Sequence, residues 1–203
     1  MTYRLYHMQD SGNCYKVRLL LAQLGQPHEL IDVDILKGES RTSDYLERNP
    51  NGRTPMLAID DEYLPESNAI LWYLAEKHGH LPNDLMQRAR ILQWMFFEQY
   101  SHEPFIATSR FWIKILGKPE EYAAEIAARR AGGEAALGVM ETHLEANDFF
   151  APGGYSIADI ALYAYTHVAD EGGFSLAPYP HVRAWLDRVR EQPGHVDIVT
   201  RTA

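Results

Sequence analysis

Cysteine is nearly absent from this 203-residue chain, which holds only Cys14. One thiol forms no intramolecular disulfide and supplies no cysteine-rich metal cage, so crosslinks and structural zinc drop out and stability must come from packing. Long apolar runs are missing too. None approaches the ~20 residues that span a bilayer, and the start MTYRLYHMQD lacks the charged-then-apolar layout of a signal peptide. The chain therefore reads as soluble and cytoplasmic, with no membrane partner. Positive charge is the third scarcity. The formal net charge is −9, with 8 basic against 12 acidic side chains in residues 1–80 and 11 against 16 beyond. Phosphate contacts need clustered Lys and Arg, so nucleic acid is a poor partner for either half, although a local anion site is still open.

What is present suffices for a packed core, since 46% of the residues are hydrophobic. Tyr3 to Tyr6 reads as a strand. After the polar HMQDSGN, Val17, Leu20, Leu21 and Leu24 recur at helical spacing up to Gly25. HELIDVDI, 28–35, alternates Leu30, Ile31, Val33 and Ile35 among acids and reads as a second strand, parallel to the first because a helix connects them. SDYLERNPNG is a short helix broken by its NPNG. TPMLAIDDEYLPES predicts an antiparallel strand pair around an acidic turn, and ESNAILWYLAEKHG a further helix with a glycine stop. The first domain is thus α/β, of order βαβαββα, over residues 1–78. A Gly/Pro/Asn-rich linker, 79–85, follows. Residues 86–203 change to helical periodicity throughout: an aromatic-rich stretch to about Leu116 with a kink expected at Pro104, an Ala/Glu/Arg helix over 119–147, and helices in YSIADIALYAYTHVA and YPHVRAWLDRVREQ.

Several residue patterns could carry chemistry. Asp10 or Ser11 is placed to cap the first helix, where unpaired N–H groups and the helix dipole stabilise an anion. Cys14 falls in the first turn, where a thiol can be activated, but a small inward-facing hydrophobe is the simpler reading. NGRTP, 51–55, puts Pro55 directly before a strand, a candidate cis peptide; a cis bond would turn the backbone of Thr54 outward, where it could pair with an extended peptide. Glu66 and Ser67 stand at a helix start, suited either to capping or to holding an ammonium and a carboxylate group. Ser156 and Asp159 form a capping box, which is structural. Arg129 and Arg130 read as a solvated face, with a ligand carboxylate as the alternative. No metal set is present.

The βαβαββα half, NGRTP, PESNAI, the short linker and an all-α half containing YSIAD together resemble the cytosolic glutathione transferase family over essentially the whole chain. The resemblance implies a thioredoxin-like N-terminal domain that holds glutathione as co-substrate, an all-helical C-terminal domain that forms most of the electrophile pocket, and a homodimer. It implies a cis Pro55, a backbone contact from Thr54 to the cysteinyl part of glutathione, and Glu66 with Ser67 on the γ-glutamyl end. Serine-type classes carry their catalytic serine at the start of the first helix, and counting back from Gly25 puts Ser11 there. A catalytic tyrosine would be expected at the end of the first strand, where His7 stands and Tyr6 is near. The cysteine of beta-class enzymes would correspond to Asn13, one position before Cys14. SGNCYK also resembles the T-x-N-x-x-K pattern of bacterial nu-class proteins, which reduce disulfides with glutathione.

Ser11 and Asn13 are accordingly expected to hydrogen-bond the glutathione sulfur and favour its thiolate, each unit of pKa depression being worth ~1.4 kcal/mol. Tyr100, His102, Phe105, Phe111 and Trp112 are expected to form an aromatic wall for a flat apolar electrophile. Conjugation is the leading activity, glutathione-dependent disulfide reduction the close alternative, and a non-catalytic binding module the third.

Overall fold

A computed structural model describes residues 2–201. They divide into two compact units, one running up to His80 and taking back the chain from Pro193 onward, the other spanning Leu81–Gln192.

The first unit contains β1 Tyr3–His7, α1 Gly12–Gln23, β2 His28–Asp32, α2 Ser43–Arg48, β3 Met56–Ile59, β4 Glu62–Pro65 and α3 Ser67–Lys77. This is the expected βαβαββα order. The sheet order is β2-β1-β3-β4, with β1 parallel to β2 and antiparallel to β3, and β3 antiparallel to β4. Leu5 faces Leu30 on one side and Leu57 on the other, so the middle of the sheet is aliphatic. Leu5, Leu57, Val17, Leu21, Ile70, Leu71 and Leu74 are fully buried, each contributing ~1.5–3 kcal/mol by leaving water. β2 is shorter than its alternating pattern predicted. Asp34 ends the run by accepting from the backbone N–H groups of Leu36 at 3.0 Å and Lys37 at 3.2 Å, which starts a 3-10 turn where Ile35 was expected to extend the strand.

The chain after Pro193 differs from the expected domain layout, in which the helical domain ran to 203. Tyr15 Oη donates to Val196 O at 2.7 Å and Arg18 Nη2 to Ile198 O at 2.7 Å, so α1 holds this segment through its backbone. An irregular segment held by its carbonyls carries no hydrophobic period, so its docking leaves no mark in the sequence pattern.

The second unit contains α4 Leu85–Phe97, α5 Glu103–Arg110, α6 Ala123–Leu144, α7 Ile157–Thr166 and α8 Pro180–Arg190. The break expected at Pro104 is spread over two π-helical turns, 98–102 and 111–115, which bracket α5, and Pro104 occupies the opening of α5, where its missing N–H costs least. Every residue of α7 is buried, as befits a helix that is largely apolar, with Asp159 and Thr166 bonded inside, and that packs against α4, α5 and α8. No helix among the described residues is long and apolar enough to cross a membrane.

Candidate functional site

Three segments of the first unit that the sequence singled out meet at the ends of helices. Ser11 is the N-cap of α1: its Oγ accepts from the backbone N–H of Cys14 at 3.3 Å, and its own N–H donates to Met8 O at 3.2 Å, closing the turn that enters the helix. The partly exposed hydroxyl therefore stands at the positive end of α1. Asn13, one residue into the helix, accepts at Oδ1 from Ser67 Oγ over 3.2 Å. That bond joins the start of α1 to the start of α3, across 54 residues of sequence.

Cys14 is sealed inside. It is fully buried, and burial pushes its thiol pKa up, although bonds to the sulfur from Ser11, Met8 N–H and Thr54 act in the opposite sense. The first-turn position does not activate a thiol that water cannot reach. In the native protein, labelling of Cys14 by a water-soluble thiol reagent should follow the rate of global unfolding; rapid labelling under native conditions would contradict this burial.

The second segment is the loop before β3. The Thr54-Pro55 peptide is cis. Upstream, Asn49 Oδ1 accepts from Asn51 N at 3.1 Å while its Nδ2 donates to Arg53 O at 2.8 Å, and Tyr45 Oη donates to the same carbonyl at 2.8 Å. Gly52 has φ +61, and a Cβ there would lie 2.6 Å from Arg41 Nη1 and 2.9 Å from Ser40 O, so only glycine fits. NPNG therefore does more than break the preceding helix. Asparagine two residues ahead of a turn amide is the signal that Asn49 organises this loop.

At the third segment Glu66 is the N-cap of α3 with φ +73, an uncommon conformation for a residue with a side chain, and it makes no side-chain cap bond. Simple capping is therefore the wrong account of this acid. Its exposed carboxylate accepts at Oε1 from Asn51 Nδ2 at 3.3 Å, which ties the second segment to the third. Ser67 is buried to 5% exposure beside Asn13.

Nearby histidine and tyrosine are otherwise engaged. His7 is fully buried with Nδ1 3.1 Å from Arg18 Nη1, and burial and that guanidinium lower its pKa to about 4. Tyr6 packs its ring edge-on against Tyr45 at 6.2 Å and lies 6.3 Å from Tyr63, in the cluster with Val33 and Met56.

In the helical unit the five aromatic positions do not share one surface. His102 is fully buried, its Nε2 2.9 Å from Thr166 Oγ1, while Tyr100 is 84% exposed. Phe105, Phe111 and Trp112 are partly exposed; Trp112 stacks on Tyr122 at 5.2 Å, and Phe105 lies so close to α6 that a Cβ on Gly132 would fall 2.3 Å from its ring. The π-helical turn at 98–102 shifts the angular phase between α4 and α5, so helical counting could not tell which aromatics face together. Arg130 is committed to Gly173 O and to the face of Phe174, and Arg129 lies over Trp112. Among the described residues no group of three His, Cys, Asp or Glu side chains could hold a metal ion.

Residues 5–82 match the family model described as glutathione S-transferase, N-terminal domain, and residues 91–193 match glutathione S-transferase, C-terminal domain. The chain is 31% identical over 196 residues to the disulfide-bond oxidoreductase YfcG of Escherichia coli, covering 93% of this chain and 90% of that protein. It is also 31% identical over 200 residues to glutathione S-transferase D7 of Anopheles gambiae, with 96% and 89% covered. A crystal structure of a possible glutathione S-transferase from Rhodopseudomonas palustris superposes with a TM-score of 0.96 at 50% identity, over 100% of both chains. The chain belongs to the glutathione S-transferase family.

Proposed function

We propose that this member of the glutathione S-transferase family binds glutathione at the joined starts of α1 and α3 and conjugates it, through its thiolate sulfur, to electrophilic, aromatic or apolar substrates. The observation that carries this reading is the Ser67–Asn13 hydrogen bond, which joins two helix N-termini, beside the Asn51–Glu66 bond that ties the loop of the cis Thr54-Pro55 peptide to the same helix start. The backbone N–H of Ser67 at the start of α3 would take the γ-glutamyl carboxylate, and the otherwise uncapping Glu66 its ammonium group. Thr54 would pair its backbone with the cysteinyl residue. Ser11 Oγ–H, with the amide NH2 of Asn13, would donate to the sulfur and favour thiolate over thiol. The thiol proton leaves to solvent; the sulfur then bonds the electrophilic carbon, and any leaving group departs with its electron pair. Phe105, Phe111 and Trp112 of the helical unit remain the proposed electrophile contacts, whereas the burial of His102 argues against a direct one. A free thiol co-substrate fits a reducing compartment, so the proposal places the protein in the cytoplasm.

Glutathione-dependent disulfide reduction is the second reading, favoured by Asn13 at the sulfur-facing end of α1 and by the similarity to YfcG. There two glutathione thiols reduce one disulfide to two thiols and leave glutathione disulfide. Turnover of a halogenated aromatic beside a small aliphatic disulfide separates the readings: conjugation alone supports the first, disulfide reduction alone the second. Calorimetry tests the shared premise. Ser67→Ala should weaken glutathione binding about two- to tenfold, since it removes the ~0.5–1.5 kcal/mol bond to Asn13 that holds the two helix starts together. No detectable binding by the unaltered protein would overturn both readings.

We also propose a homodimer. Leu85 and Phe96, three turns apart on one face of α4, are 81% and 68% exposed, and Met86 beside them is 64% exposed. An apolar face of this kind favours a second copy. Sedimentation should show a dimer that Phe96→Glu dissociates; a monomeric unaltered protein would refute the assignment.

A further inference from the structure

The chain after Pro193 is tied to the loop that carries Ser11 more heavily than a loose end requires. Gln9, two residues before Ser11, is held at both ends. Its carbonyl accepts from Arg18 Nη2 at 3.0 Å, and its Nε2 donates to Ile198 O at 2.8 Å. The same Arg18 Nη2 donates to Ile198 O at 2.7 Å, so a single buried guanidinium bridges the loop and the C-terminal segment. Tyr15 Oη fixes Val196 O from the next turn of α1. Further along, Arg201 grips Asp32 at 3.1 and 2.9 Å, and Asp32 Oδ1 lies 3.2 Å from His7 Nε2. Because arginine only donates, His7 Nδ1 must accept from Arg18, which leaves the ring proton on Nε2, facing Asp32. Loop, helix, strand and strap thus share one polar network around a buried cation.

We infer that residues 196–201 form a strap which, through Arg18 and Gln9, positions Ser11 for its bond to the glutathione sulfur. Arg18 and Gln9 are positioning residues, and the inference rests on the reading that Ser11 favours the thiolate. The physical need is geometric. A hydroxyl stabilises a sulfur anion only when held within a few tenths of an ångström of its place, and the turn from Met8 to Ser11 is closed by one backbone bond of 3.2 Å. Loss of the strap takes one acceptor from a buried guanidinium and both side-chain bonds, to Ile198 O and Thr200 O, from Gln9, whose carbonyl then depends on Arg18 alone. The turn then samples several geometries, and the preference for thiolate falls while the peptide contacts at Thr54, Glu66 and Ser67 stay in place.

The test compares the full chain with a variant ending at Pro193, with Gln9→Ala and with Ser11→Ala. For each, the pKa of bound glutathione is read from thiolate ultraviolet absorbance against pH, beside kcat, the glutathione Kd and the thermal midpoint. In the shortened chain the bound thiol should titrate about one unit higher and kcat should fall about tenfold, with Kd changed less than about threefold, and added peptide 194–203 should restore both. Gln9→Ala, which uncovers no charge, should move the bound-thiol pKa in the same direction by a smaller step, and it decides the matter if the shortened chain does not fold. A folded variant of either kind with the bound-thiol pKa and kcat of the full chain overturns the strap's role. If Ser11→Ala itself leaves both unchanged, the reading of Ser11 fails instead.

Discussion

Ser11→Ala should lower kcat for glutathione-dependent turnover about 10- to 100-fold while changing the glutathione Kd little. A hydrogen bond to a charged group is worth ~1.5–3 kcal/mol, and each ~1.4 kcal/mol of barrier is a factor of ten. The loss falls on turnover because the hydroxyl acts on the ionised sulfur, whereas affinity comes from the ends of the peptide. Ser11 is also the cap of α1 through its bond to Cys14 N–H, so alanine costs about 1 kcal/mol of stability as well. Ser11→Thr separates the roles: it retains a hydroxyl that can cap, and it should recover most of the turnover. The bound-thiol pKa should rise in the alanine variant. Full kcat with an unshifted thiol pKa would remove Ser11 from the chemistry and leave it as a cap alone.

Asp159→Ala should cost about 3–5 kcal/mol, the scale of leaving buried polar partners without their charge, and should lower the thermal midpoint by roughly 10 °C. Asp159 is fully buried at the third position of α7. Its Oδ1 accepts from Phe150 N at 3.0 Å and Trp185 Nε1 at 3.0 Å, and its Oδ2 from Ser156 N at 2.9 Å and Ser156 Oγ at 3.1 Å. The capping box expected from Ser156 and Asp159 is thus also the tie between α7, the segment at Phe150 and α8. Asp159→Asn should be nearly as harmful, because its NH2 would face donors at the Oδ2 position. A midpoint within 2 °C of the unaltered protein for Asp159→Ala would refute the assignment.

The pH dependence carries a sign that checks this. Burial raises the Asp159 pKa to about 6 from 3.8, so between these values the folded state holds the extra proton, and this group's contribution to stability falls as pH rises through that window. His7 runs oppositely. Its pKa is lowered to about 4 from 6.5, so the unfolded state holds the extra proton and stability falls as pH drops from about 6.5 to 4. The two trends oppose each other in the unaltered chain. With Asp159 gone, the acid-side loss from His7 should stand out in urea midpoints measured across that range.

Much of this was legible from residues in one dimension. Periodicity near 2 and 3.6, with glycine and proline stops, is local physics, and it located the strands and helices of the α/β unit and the sheet's mixed direction. The helix-start residues Ser11, Ser67 and Ser156 were visible for the same reason: a cap is made within three residues of its own position. Tertiary contacts decided the rest. Cys14 and Ser11 sit three residues apart, and only packing shows that the thiol is sealed inside while the hydroxyl stands at the surface. Asn13 and Ser67 are 54 positions apart, and no local rule pairs them. The aromatic residues near α5 were identified as a group, but the π-helical turn sets which way each one faces, burying His102 and exposing Tyr100. Arg18 reads in the sequence as one more charge on a helix. Its burial, and the return of 196–201 to cover it, depend on backbone carbonyls that every residue carries alike, and so composition and spacing are silent about them.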